Sequence, residues 1–107
     1  MNAMSEREKR VGLHLPLEAQ GEEASGSPFS EETRSLNISG GGILFESHHN
    51  LLVGSQLTLA IQVPPPLQKH FGNRPVYRAR AVVCRVERFE GEPVSRVGAR
   101  FLGEAEA

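Results

Sequence analysis

An asparagine, a serine two residues on and a run of three glycines interrupt an apolar stretch, Leu36-Asn37-Ile38-Ser39-Gly40-Gly41-Gly42-Ile43-Leu44-Phe45. Asn and Ser side chains accept hydrogen bonds from nearby backbone N–H groups and so favour turns. Glycine removes the Cβ and lets a ligand or another backbone approach closely. Two arrangements satisfy this pattern. One is a plain β-turn or bulge between two strands. The other is a concave nest of backbone N–H groups flanked by polar side chains, suited to an anion or a polar ring. Close to the N-terminus, Glu6-Arg7-Glu8-Lys9-Arg10 sets two guanidinium groups among acids. Arginine pairs with phosphate through a planar fork and stacks on rings. A short charge run of this kind is also compatible with a solvated tail.

Other chemistry-bearing residues form weaker patterns. His48 and His49 are adjacent, and neighbours on an extended chain point to opposite faces, which makes them poor joint metal ligands. His14 and His70 add no metal-site spacing, so no metal is expected. Cys84 is the one cysteine. It sits in an apolar strand, where an inert core thiol is expected. No Ser/His/Asp order, carboxylate pair or phosphate-loop pattern supports catalysis, and an enzyme is not expected. Arg78, Arg80, Arg85 and Arg88 lie along the same segment and are expected on its outer, solvated face.

The elements that must position these residues follow from length and alternation. The chain has 107 residues and a net charge of −1. That is enough for one domain with a core of its own. The charge balance argues against a DNA or RNA partner. No apolar run approaches the roughly 18 residues of a spanning helix, so membrane insertion is not expected. The first residues lack the apolar segment of a signal peptide, which implies a cytoplasmic location.

Period-two alternation marks six strands. The first runs from Arg10-Val11 to Ala19, with Leu13, Leu15, Leu17 and Ala19 inward and Pro16 at an edge or bulge. Gly21 to Glu32, rich in Gly, Ser, Glu and Pro, reads as a surface loop with Phe29 as an anchor. Thr33 to Ile38 enters the glycine turn and Gly42 to Glu46 leaves it. Gln56 to Val63 is the fourth strand, ended by Pro64-Pro65-Pro66, and residues 67–75 form a polar connection. Val76 to Phe89 is long. Its inward set shifts from Ala79, Ala81 and Val83 to Val82, Cys84 and Val86, a sign of a bulge or bend. Val94 to Leu102 is last, with Val97, Ala99 and Phe101 on one face. The fold class is therefore all-β: a small six-stranded antiparallel β-barrel with little or no helix, since closure protects the edges of a short chain. The division expected is a flexible N-terminal arm over 1–9, a barrel over 10–102 and a short tail over 103–107.

With Arg10-Val11 ahead of the first strand, Asn37-Ile38-Ser39-Gly40-Gly41-Gly42 opening an apolar strand and Val97-Gly98-Ala99-Arg100-Phe101 in the last, the chain resembles a PilZ domain. The likeness runs from about residue 6 to residue 102. It implies a bacterial receptor for the second messenger cyclic di-GMP. The family's Asp/Asn-x-Ser-x-x-Gly element is matched by Asn37, Ser39 and Gly42. Its Arg-x-x-x-Arg element is matched only at Arg10, because Glu6 stands four residues earlier. Arg7 falls on the second of two consecutive arginines that family members often carry at this point. The usual C-terminal helix of the family has no counterpart.

What the resemblance implies is a signalling domain that binds cyclic di-GMP through Arg7, Arg10, Asn37, Ser39 and Gly42. It would need no cofactor, and it would change conformation on binding and relay that change to an unidentified protein partner. Two phosphodiesters and two guanines suit arginine forks and stacking. Asn37 supplies a neutral acceptor for a guanine N–H, Ser39 donates or accepts, and Gly42 leaves room. Glu6 opposes this reading, since a carboxylate near phosphate weakens binding. The alternative is a degenerate PilZ adaptor that binds a partner protein without nucleotide.

Overall fold

Along Gln56–Gln62 the residues alternate between exposed and buried, with Leu57, Leu59 and Ile61 all inside. The same two-residue period organises the whole molecule in a computed structural model, which describes residues 12–105. Arg7, Arg10 and the rest of the expected arm lie outside these residues. The six strands are β1 (Pro16–Glu22), β2 (Pro28–Ile38), β3 (Gly42–Ser47), β4 (Gln56–Gln62), β5 (Val76–Arg88) and β6 (Ser95–Glu104). They close in the order β1-β2-β3-β6-β5-β4, every neighbour antiparallel. The expected barrel is thus present. Its interior is filled by Leu15, Leu17, Ala19, Ile43, Phe45, Leu51, Val83, Val97 and their neighbours, with Leu13 and Phe101 packed at the margin.

The first strand is shorter at its start than expected. Residues 12–15 carry no ladder, and Pro16, which has no N–H to offer, is the first strand residue. Leu15 is nonetheless buried. The expected loop from Gly21 to Glu32 is mostly strand: β1 and β2 form one hairpin paired from Pro16↔Arg34 to Glu22↔Pro28. Only residues 23–27 turn, with Gly26 at φ 91°. Two residues misled the sequence reading, and both are explained by packing. Gly21 is a contact glycine, since a Cβ there would lie 2.7 Å from the Leu57 side chain. Glu31 is buried, and its carboxylate accepts from the Ser47 hydroxyl at 2.7 Å and the His48 backbone N–H at 2.8 Å. A buried charge is tolerable when its lone pairs are satisfied in this way. His49 Nδ1 meets Glu23 at 2.7 Å and its ring stacks on Phe29, so the hairpin is tied to the β3–β4 link. No group of three or more potential metal ligands occurs among the described residues.

After β4 the three prolines end the strand and initiate a 3-10 helix, Pro65–His70, inside what read as an irregular connection. Proline is well placed there, where a first-turn N–H has no partner to lose. Strand β5 shifts register at Arg80/Ala81 and again at Val83/Arg85. The second shift leaves Cys84 unpaired and exposed. The expectation of an inert core thiol is therefore wrong. The phase change falls two residues later than the apolar pattern implied, so Val83 stays inside and Cys84 is the residue extruded. Strand β6 runs to Glu104, past the expected end at Leu102.

Phe71, Tyr77 and Phe101 form an edge-packed aromatic group beside the 3-10 helix. Burial raises the pKa of the Tyr77 phenol above its ordinary 10.0, and the nearby Glu104 carboxylate raises it further. Tyr77 is the one tyrosine of the chain. Its ultraviolet absorbance titration is thus expected to have a midpoint above that of the unfolded chain, moving part of the way back in Glu104→Gln. Because the folded pKa is the higher one, this contribution to stability is whole below the unfolded value and is lost as pH rises through the folded one.

Candidate functional site

Strand β2 directs odd-numbered residues inward from Phe29 through Glu31 to Ser35. Continued without interruption, that phase would carry Asn37 into the core. The register with β3 shifts between Ser35 and Asn37, so Leu36 is a bulge, Ile38 is buried and Asn37 stands opposite Leu44, half-buried. The bulge is what lifts the first residue of the motif out of the interior.

Ser39 then closes the turn on itself. Its backbone N–H donates to the Gly42 carbonyl at 2.9 Å, and its hydroxyl accepts from the N–H groups of Gly41 at 3.3 Å and Gly42 at 3.2 Å. The two amides that an anion-binding nest would present are thus occupied by a side chain from within the turn. None of Gly40, Gly41 and Gly42 is left-handed. Gly42 is required for a different reason. A Cβ on it would lie 2.6 Å from the Ala99 carbonyl oxygen of β6. The neighbouring Gly41 carbonyl accepts from the Phe101 N–H at 2.9 Å. The turn is locked onto β6 by backbone contact.

That lock forms one wall of a groove of about 450 Å³ over the outer face of β3, β6 and β5. Ser39, Gly41 and Gly42 border it on one side, Leu44 and Gly98 form its floor, and Cys84, Arg85 and Arg100 complete it. The register explains the depression. Gly42 is opposite Arg100, and Gly98 lies between Leu44 and Arg85, so two glycines leave the outer face bare where side chains would otherwise fill it. Arg85 and Arg100 are exposed. Arg100 has no ion-pair partner among the described residues, and Arg85 has a loose one, Glu87 at 3.9 Å. The groove therefore combines two guanidinium groups, a hydroxyl and a half-buried leucine surface. Such a set suits a ligand with phosphates and flat rings.

The structure brings Ser39 and Gly42 of the expected site together in this groove. Asn37 is one strand away, at the end of β2, and does not line it. Arg7 and Arg10 lie outside the described residues. Arg100 and Cys84 were missed as groove residues. The signal for Arg100 was present in Gly98-x-Arg100: an exposed cation two residues from a strand glycine that clears space. The signal for Cys84 was not, because only the bulge turns it outward.

These features define a class: a closed six-stranded antiparallel barrel with a polar and cationic groove at an Asn-x-Ser-x-x-Gly turn. The sequence profile of the PilZ domain matches residues 5–107, and the chain belongs to the PilZ family, a family of cyclic di-GMP receptors. No curated protein matches it. Among solved structures it is similar to the Bacillus subtilis inhibitor of motility MotI/DgrA, at 21% identity and a TM-score of 0.64. That match covers 90% of this chain and 41% of the other, so the chain spans about two fifths of that protein's length. It is also similar to the PilZ domain of YcgR from Escherichia coli, solved with cyclic di-GMP, at 18% identity and a TM-score of 0.58, covering 90% and 76% of the two chains. At such identities these likenesses establish the fold alone.

The contact at Gly42 separates it from its neighbour in a measurable way. Gly42→Ala is expected to destabilise the barrel by about 1–3 kcal/mol, because backbone rather than a movable side chain blocks the new methyl. Gly41→Ala meets nothing within 4 Å and is expected to be neutral or slightly stabilising. Urea unfolding of both variants checks this.

Proposed function

We propose that this chain binds cyclic di-GMP in the groove beside the Ser39 turn and signals its occupancy to a protein partner. The single observation that carries the reading is the juxtaposition of Ser39 and Gly42 with Arg85 and Arg100 around one groove. Guanidinium forks pair with the phosphodiesters or with a guanine O6/N7 edge. Leu44 and the glycine floor accept the flat face of a base. Asn37, on the adjacent strand end, accepts a guanine N–H from the side. Arg7 and Arg10 then close over the ligand from the N-terminal segment and change the surface that a partner meets. The role is that of a binding domain with no reaction of its own, and it is exercised in the bacterial cytoplasm. No helix among the described residues is long and apolar enough to cross a membrane.

Glu6 favours a second reading, in which the domain binds its protein partner constitutively and no nucleotide. A carboxylate four residues before Arg10 repels the phosphate that an arginine there would hold. The two readings separate on titration calorimetry with cyclic di-GMP. Under the sensor reading the wild-type chain binds, and Arg100→Ala and Arg10→Ala each weaken binding more than Lys9→Ala, since only a guanidinium both stacks and chelates. Glu6→Arg strengthens it by about 1–2 kcal/mol, a gain held down by screening and by the cost of ordering the segment. These effects shrink as salt rises. If neither wild type nor Glu6→Arg binds at high micromolar ligand, the adaptor reading stands instead.

A further inference from the structure

Charge is unevenly shared among the strands. β5 and β6 carry six arginines against two glutamates, whereas β1 and β2 carry four glutamates against one arginine. In the closed order β1-β2-β3-β6-β5-β4 each strand faces the one three places on, so β1 is across from β6 and β2 from β5. An acidic wall and a basic wall are therefore on opposite sides of the barrel. The whole chain has a net charge of −1, so charge is sorted here and neither sign is in excess.

Neither wall is neutralised from within. Glu18 and Glu32 are directly opposite each other across β1 and β2, both on the outer face. Like charges in that position cost stability. On its other side Glu18 faces Ala60. Ser30 donates a hydrogen bond to Glu18 at 2.9 Å, but neither carboxylate has an ion-pair partner among the described residues. Arg34, the one cation of this wall, pairs with Glu46 of β3 at 3.7 Å. On the far wall Arg78 and Arg80 are two residues apart on β5 and exposed. Neither has an ion pair among the described residues. Leu102, the bulged residue of β6, is 37% exposed and adjoins Gly103, which is opposite Arg80. An apolar side chain beside guanidinium groups is a composition favoured at protein contacts.

We propose that the two walls are the two halves of one interface: the β1–β2 wall of one copy of this chain docks on the β5–β6 wall of the next. The guanidinium groups of Arg78 and Arg80 meet the Glu18–Glu32 pair and cancel its repulsion. The two surfaces differ, so the contact is head to tail and leaves one wall free at each end. Because the walls are on opposite sides of the barrel, the contact propagates as an open chain and does not close as a pair. A net charge close to zero leaves little overall repulsion to oppose it. Exposed charges are screened by salt, so the assembly belongs to low ionic strength and high protein concentration. It needs no nucleotide and stands apart from the cyclic di-GMP reading.

Sedimentation velocity of the full chain tests this. At about 10 mM salt, where charges act over roughly 30 Å, the average mass is expected to climb with concentration past that of a dimer. At about 1 M salt, where they act over roughly 3 Å, it should be that of a monomer. Arg78→Gln with Arg80→Gln keeps only the acidic wall, and Glu18→Gln with Glu32→Gln keeps only the basic one. Both pairs of substitutions are on the outer face and leave the core untouched. Each double variant alone is expected to stay monomeric, and an equimolar mixture of the two to form a dimer that grows no further. A wild type that stays monomeric at low salt overturns the proposal. So do association that survives high salt, a wild type that stops at the dimer, a double variant that associates like wild type, and a mixture that stays monomeric. None of these results touches the cyclic di-GMP reading, which calorimetry decides.

Discussion

A sheet that closes on itself has no free edge, so each strand must pass its ladder to two neighbours while turning through the curvature of a small barrel. Bulges are the local means of doing so. Here they fall in β2 at Leu36, in β5 at Cys84 and, opposite Arg80/Ala81, in β6 at Leu102. Each shifts the phase of a strand, and the shift decides which side chains face out. Asn37 and Cys84 reach the surface for this reason, while Ile38 and Val83 stay within it. The candidate site is a consequence of closure.

The groove is likewise made by backbone approach. Gly42 is free of a Cβ because the Ala99 carbonyl occupies the space a Cβ would need, and Ser39 spends its hydroxyl on two amides of its own turn. These residues are therefore structural before they are anything else. That does not compete with ligand binding. A turn held rigid from within presents the groove beside it in a fixed geometry, which limits the ordering cost of association. The cations that make the groove attractive to an anion come from other strands, Arg85 from β5 and Arg100 from β6.

Polar groups inside the barrel are few and fully engaged. Glu31 is satisfied by Ser47 and His48, and Ser35 by Leu13 and Leu15. No buried side-chain nitrogen or oxygen among the described residues lacks a partner. Both residues act where a ladder ends: Glu31 at the link after β3, Ser35 ahead of β1. Side chains there supply the hydrogen bonds that backbone geometry withholds.

Alternation alone determined the all-β class, most strand positions and the apolar interior, because the period of a strand is written directly in which residues are apolar. The order of Asn37, Ser39 and Gly42, with the closing Gly98-Ala99-Arg100-Phe101, determined the family. Sequence failed where a residue's local preference and its tertiary use diverge. Gly21 and Glu31 look like loop residues, yet one makes room for Leu57 and the other is buried in a hydrogen-bonded niche. Cys84 looks like a core residue and is extruded by a bulge whose position depends on the register with β6. Register is a relation between strands distant in sequence. Only the folded barrel decided which of two adjacent residues faces the groove, and that Arg85 and Arg100 meet Ser39 there.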